Sequence, residues 1–126
     1  MIYGIGTDIV DVRRIQASLE QHGRRFAERI LAPAELDEFD QAASPAHYLA
    51  KRFAAKEATA KALGCGFRDG LSLKHIWVSK DMAGKPGLCF EATARDKSAQ
   101  AGITASHLSL SDEQHYAQAF VVLERI

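Results

Sequence analysis

The stretch AHYLAKRFAAKEATAKALG, residues 46–64, decides the fold. It is rich in Ala and Lys, and Gly64 stands where a helix C-terminal cap glycine belongs. A helix over roughly 46–63 is expected. At about 100° per residue, Leu49, Phe53, Ala60 and Leu63 share one face. Lys56 falls inside that stripe, where leucine would be regular. Glu57 lies at its edge, Lys61 sits one turn beyond Glu57, and Arg52 sits one turn before Lys56. A carboxylate and three cations therefore border an apolar helix face. Two readings stand at this point. Lys56 snorkels and Glu57–Lys61 is an ordinary i,i+4 surface pair, or the face borders a phosphate site. Lys51, Arg52, Lys56, Lys61 and Arg68 outweigh Glu57 by four charges over residues 51–68. In a chain with 16 cationic and 16 acidic side chains, that surplus must be offset elsewhere, or by an anionic ligand. Gly64 and Gly66 would let backbone approach it.

Upstream of this helix, IYGIGTDIV (residues 2–10) reads as a buried strand ending near Thr7-Asp8. Val12, Ile15 and Leu19 recur at helical spacing, Gly23 breaks that helix, and Phe26 and Ile30 mark another turn. Pro33 suits the first turn of an acidic helix containing Glu35, Asp37, Glu38 and Asp40. Downstream, Ile76–Val78 and Leu88–Phe90 flank turn chemistry over 81–87, which makes a hairpin. Residues 92–101 read as a short helix. His107–Ser111 alternates, with Leu108 and Leu110 on one side and His107, Ser109 and Ser111 on the other. Ala117–Leu123 is apolar on both faces and reads as a central strand. The expected class is α+β: a mostly antiparallel sheet packed against a long helix and shorter helices, in one domain over residues 1–126.

Composition narrows the function classes. The chain has 126 residues, 47% hydrophobic and 25% charged, with a net charge of zero. A nucleic-acid binder would usually be more basic, so no nucleic-acid partner is expected. The N-terminus lacks a signal-peptide pattern, and no run approaches a membrane span, so a cytoplasmic protein without a membrane partner is expected. Cys65 and Cys89 form neither a disulfide framework nor a zinc pattern, and are read as free thiols without a role.

Asp8 is the second irregularity. It either caps the following helix or joins Glu57 as a second carboxylate, a pair that suits Mg²⁺ together with substrate oxygens. His107, beside Ser109 on the polar side of a strand, reads as a surface or hydrogen-bonded strand histidine; a Ser–His hydrolase is not expected, since no G-x-S-x-G elbow occurs. Arg13, Arg14, Arg24, Arg25 and Arg29 read as a solvated mixed face, or beside Leu19 and Phe26 as a surface for an acidic helical partner.

Five segments taken together resemble the holo-[acyl-carrier-protein] synthase family, the small single-domain 4′-phosphopantetheinyl transferases. They are GIGTDIVDVRRI (4–15), RRFAERIL (24–31), RFAAKEATAKALGCG (52–66), GKP (84–86) and HLSLSDEQHYAQAFVVLE (107–124). The resemblance implies transfer of the 4′-phosphopantetheine arm of coenzyme A to a serine of apo acyl-carrier protein. It implies release of adenosine 3′,5′-bisphosphate, dependence on Mg²⁺, and a part in fatty acid biosynthesis. By motif position, Asp8 and Glu57 would be metal ligands, with Glu57 and Lys61 catalytic. Arg52, Gly64, Gly66 and His107 would lie along coenzyme A, and Arg14, Arg25 and Phe26 would dock the carrier protein. A homotrimer with sites between subunits is also implied. One position departs from the pattern: Asp112 stands where many relatives have a second histidine. The serine proton needs an acceptor, for which Glu57, Glu35 or a metal-polarised water are candidates, the last being favoured. The rivals are a different Mg²⁺-dependent phosphate reaction, such as a small nucleotide phosphohydrolase, and a scaffold that only holds an anionic partner.

Overall fold

In the computed structural model, which describes residues 1–126, the long helix is the axis of the molecule. The elements in chain order are β1 (Ile2–Asp11), α1 (Val12–His22), α2 (Arg24–Ile30), α3 (Pro33–Gln41), α4 (Pro45–Leu63), β2 (Ile76–Lys80), β3 (Pro86–Phe90), α5 (Ala92–Gln100), β4 (Ile103–Asp112) and β5 (Tyr116–Arg125). A 3-10 turn, Leu73–His75, leads into β2. One antiparallel sheet has the order β1-β5-β4, and β2 and β3 form a separate antiparallel hairpin. The α+β expectation holds, with β5 central in the larger sheet and α4 packed across that sheet's inner face.

α4 ends as the sequence predicts. Gly64 adopts φ +80°, and its N–H closes on the carbonyls of Ala60 and Lys61, a left-handed cap that a Cβ would strain. β1 runs longer than expected. It pairs with β5 through Asp11, and Asp11 rather than Asp8 caps α1 by accepting from Arg13 N at 3.0 Å. The capping reading of Asp8 is therefore overturned, because strand pairing keeps the chain extended for three residues past it.

β1 and α4 touch backbone to backbone. A Cβ on Gly6 would overlap the carbonyl oxygen of Ala58, and one on Gly4 the carbonyl oxygen of Ala62. Gly4, Gly6, Asp8 and Val10 lie at period two on the inner face of β1, while Ala58 and Ala62 lie one turn apart on α4. The glycines remove the side-chain layer that normally separates a strand from a helix. Asp8, next along the same strand face, is thereby carried against α4.

The core is one cluster that includes Leu49, Ala54, Ala58, Ala62, Ala117, Ala119, Val121 and Leu123. The reading of β5 as apolar on both faces is corrected: its outer face carries Gln118 and is not buried within one chain. Ala117, Ala119, Val121 and Leu123 point inward, while Phe120 is exposed on the outer face together with Ile5 (60% exposed) and Ile9 (65%). No helix is long and apolar enough to cross a membrane.

Candidate functional site

Asp8 and Glu57, 49 positions apart in the chain, line one cleft of about 310 Å³ together with Arg14, Ile15, Phe26 and Phe53. Burial pushes the Glu57 carboxyl above its ordinary range, the neighbouring Asp8 charge pushes it further, and Lys61 opposes both. Lys61 does not bridge to Glu57. It crosses to β1, where Nζ donates to the Thr7 carbonyl at 2.9 Å and to Asp8 Oδ1 at 3.0 Å. The expectation of an i,i+4 Glu57–Lys61 surface pair is corrected accordingly: close strand–helix contact offers Lys61 a better-placed carboxylate and a carbonyl. The site thus brings two carboxylates together as an all-oxygen donor pair, with Lys61 on Asp8 and Arg14 on the cleft wall. That donor chemistry fits a hard divalent cation such as Mg²⁺, which takes one or two protein carboxylates and completes its shell with other oxygens.

Lys56, adjacent to Glu57, points the opposite way. It is fully buried, donates to Glu35 Oε1 at 2.7 Å, and also reaches the carbonyls of Leu73 (3.1 Å) and Ile76 (2.5 Å). Glu35 is equally buried and accepts from Ala32 N at 2.9 Å and Val78 N at 3.0 Å. The snorkelling reading of Lys56 is overturned, because α3 and β2 close over this side of α4. Glu35 is likewise removed as a proton acceptor, since both of its oxygens are engaged and no solvent reaches it.

Arg52 is buried beside this pair, 4.4 Å above the Tyr48 ring and 4.0 and 3.8 Å from Glu35 and Glu38. Its Nε and Nη2 are sequestered without hydrogen-bond partners. Arg52 and Glu57 are five residues apart, about 140° around the helix, so Arg52 does not reach the Asp8–Glu57 cleft. The surplus of four positive charges is answered largely within the chain. Lys51 lies 3.8 Å from Asp112, Arg52 and Lys56 face Glu35 and Glu38, and Lys61 meets Asp8. Only Arg68 has no ion pair, so the surplus by itself does not call for an anionic ligand.

His107 sits on the outer face of the larger sheet, opposite Val122, and contacts Glu124 Oε1 at 2.5 Å. Asp8 faces inward on the same sheet, opposite Ala119. The structure therefore does not bring His107 to the cleft within one chain. Gly64 and Gly66 border open space, where a Cβ at either would meet nothing within 4 Å. Cys65 and Cys89 are free.

The arginines of α1 and α2 sort by partner. Arg13 pairs with Asp11, and Arg24 with Glu28 and Asp40. Arg14 and Arg25 are exposed without ion pairs, and Arg14 and half-buried Phe26 form the wall of the cleft next to Asp8. Sequence reasoning missed Phe53 as a cleft wall and Thr7 as an anchor for Lys61. The period-two Gly4-x-Gly6-x-Asp8 pattern was the available signal for the second.

Comparison with known proteins extends this geometry. The 4′-phosphopantetheinyl transferase superfamily matches residues 4–121. A holo-[acyl-carrier-protein] synthase of Halorhodospira halophila is 53% identical over 123 residues, which is 98% of each chain. The crystal structure of holo-[acyl-carrier-protein] synthase from Neisseria meningitidis is 50% identical, covers 99% of this chain and 100% of its own, and superposes with a TM-score of 0.91. The Helicobacter pylori synthase, solved in complex with coenzyme A, is 31% identical over 95% of this chain and 99% of its own, with a TM-score of 0.83. With agreement in sequence and in superposed fold over nearly its whole length, the chain belongs to the holo-[acyl-carrier-protein] synthases of the 4′-phosphopantetheinyl transferase superfamily.

Proposed function

We propose that the chain transfers 4′-phosphopantetheine from coenzyme A to a serine of apo acyl-carrier protein, releasing adenosine 3′,5′-bisphosphate, in the cytoplasm and in support of fatty acid biosynthesis. The observation that carries this reading is the meeting of Asp8 and Glu57 in one cleft walled by Arg14 and Phe26, with Lys61 bonded to Asp8. Asp8 and Glu57 would hold Mg²⁺. When bound, that ion supplies positive charge to the diphosphate at which the serine attacks. Lys61 adds a further cation at the reacting phosphate. Phe26 and Phe53 contribute apolar wall to the cleft. With Glu35 sealed in the core, Glu57 or a water beside it is left to accept the serine proton.

Arg14 and Arg25, unpaired and exposed around Phe26, suit an acidic carrier helix. Arg14 lies on the wall of the cleft, so a carrier helix docked there would bring its serine near Asp8 and Glu57. His107 and the Gly64–Gly66 loop would contact coenzyme A. Because His107 and Asp8 face opposite sides of the sheet, one coenzyme A can touch both only across a subunit boundary. The exposed Ile5, Ile9 and Phe120 face supplies the apolar surface for such an assembly, proposed as a homotrimer. Arg52 keeps a place along coenzyme A only if the ligand approaches the α3 side of α4.

The test is mass spectrometry of apo carrier protein incubated with the chain, coenzyme A and Mg²⁺, with and without EDTA. The expected result is a gain of one phosphopantetheine, abolished by EDTA. Release of free phosphate without carrier modification would favour a phosphohydrolase instead.

A further inference from the structure

Lys61 occupies a position that its helix alone does not dictate. Glu57 lies one turn back on α4, yet Nζ crosses to Asp8 Oδ1 at 3.0 Å and is held there by the Thr7 carbonyl at 2.9 Å. The Asp8 side chain is only 18% exposed, so its carboxylate has few other directions from which to be met, and Lys61 covers one of its two oxygens. Lys61 itself is 54% exposed, on a flexible four-carbon stem, and can swing away without opening the core. An ammonium and a divalent cation on the same carboxylate repel each other at close range.

We propose that Lys61 is a place-holding cation, neutralising Asp8 in the absence of a divalent ion and leaving that carboxylate when the ion binds. Ion binding and lysine release are then one coupled event. The freed ammonium remains on α4, one turn from Glu57, where it can meet an anionic diphosphate. Lysine thus reaches the phosphate only after the carboxylates have been claimed by the ion, which prevents Lys61 from holding the substrate in an ion-free, unreactive complex. The inference rests on the reading of Asp8 and Glu57 as ligands of a divalent cation.

The test measures Mn²⁺ binding by electron paramagnetic resonance to the full chain without coenzyme A. The proteins compared are the unmodified chain, Lys61→Met, Lys61→Gln and Asp8→Asn. Lys61 is exposed, so neither of its variants leaves a buried void. Both should bind Mn²⁺ roughly fivefold more tightly, the size of one exposed ion pair removed from competition. Asp8→Asn should lose the binding. Unchanged or weaker Mn²⁺ binding in both Lys61 variants, with Asp8→Asn still defective, overturns the place-holder alone. Mn²⁺ binding that survives Asp8→Asn, or is absent from every protein tested, overturns the ion-site reading and this inference with it.

Discussion

Two clusters of acidic and basic side chains flank α4, built from consecutive residues, and they behave in opposite ways. On one side, Lys56 and Glu35 are fully buried and engage four backbone groups besides each other: two carbonyls for the ammonium and two N–H groups for the carboxylate. On the other side, Asp8 and Glu57 line an open cleft walled by Arg14, and Lys61 meets Asp8 from beside it. The Lys56–Glu35 pair is saturated, although Arg52 beside it keeps two unpartnered nitrogens, and it joins α3, α4, the 3-10 turn and β2. The second cluster leaves the Glu57 carboxylate without a hydrogen-bond partner at an open cleft, which is what a ligand site requires. Residue type does not separate a structural ion pair from a candidate active site; hydrogen-bond saturation and solvent access do.

This contrast breaks if the buried pair can be removed cheaply. Lys56→Met removes the ammonium bonded to the buried Glu35 carboxylate and leaves only Arg52, 4.0 Å away, facing it; burial pushes the Lys56 ammonium below its ordinary range and Glu35 opposes that push. A loss of about 3–5 kcal/mol in urea-unfolding stability is expected. A loss below about 1 kcal/mol, typical of exposed pairs, would dissolve the distinction. Glu57→Gln tests the opposite cluster. It should lower phosphopantetheine transfer by roughly 10²–10³-fold, the size of one lost charge-stabilising group, while leaving the melting temperature close to that of the unmodified chain. A mutant that melts early would make Glu57 part of the scaffold.

Gly6→Ala sharpens the link between the two sides. The added methyl meets the Ala58 carbonyl, which cannot withdraw without moving α4. A destabilisation of about 1–3 kcal/mol is expected from such overpacking, with weaker Mn²⁺ binding as Asp8 moves away from Glu57. Retention of full Mn²⁺ affinity would show that the close approach does not position the site. Arg14→Glu should raise KM for carrier protein about tenfold, as for a desolvated charge contact of about 1.4 kcal/mol, and leave KM for coenzyme A nearly unchanged. Equal changes in both would remove Arg14 from carrier docking.

The smallest effect is in pH dependence. Burial first, then the Asp8 charge, raises the Glu57 carboxyl. A carboxyl raised by folding favours the folded state fully below its unfolded value, and that contribution is lost as pH rises through the raised value. Divalent-ion binding needs the ionised form, so it should strengthen as pH rises from the ordinary carboxylate range through the raised value. Mn²⁺ titrations across that range check the direction; flat affinity would place Glu57 outside the ion's reach.

What was legible from residues alone came from local chemistry. α4 and its Gly64 cap, the hairpin around residues 81–87, the alternation of β4 and the acidic helix after Pro33 each depend on neighbours a few positions away. The motif likewise singled out Asp8, Glu57 and Lys61. Lys56 was misread because helical periodicity tells which residues share a face, not what covers that face, and the cover comes from Glu35, 21 positions earlier. Asp8 remained ambiguous between cap and ligand because both uses begin with a carboxylate at the end of an apolar run. Pairing with β5, more than 100 positions away, extended the strand and settled that it is not the cap.

The sequence by itself determined the order of the elements, the caps and turns that bound them, and the set of side chains able to do chemistry. Only the tertiary structure decided which of those side chains meet. It sealed Lys56 and Arg52 inside, delivered Asp8 to Glu57 over two glycines, and turned His107 to the far side of the sheet. The reason is physical: backbone preference acts within about one helical turn, whereas the rotation of a helix and the facing of a strand are set by whichever distant surface packs against them.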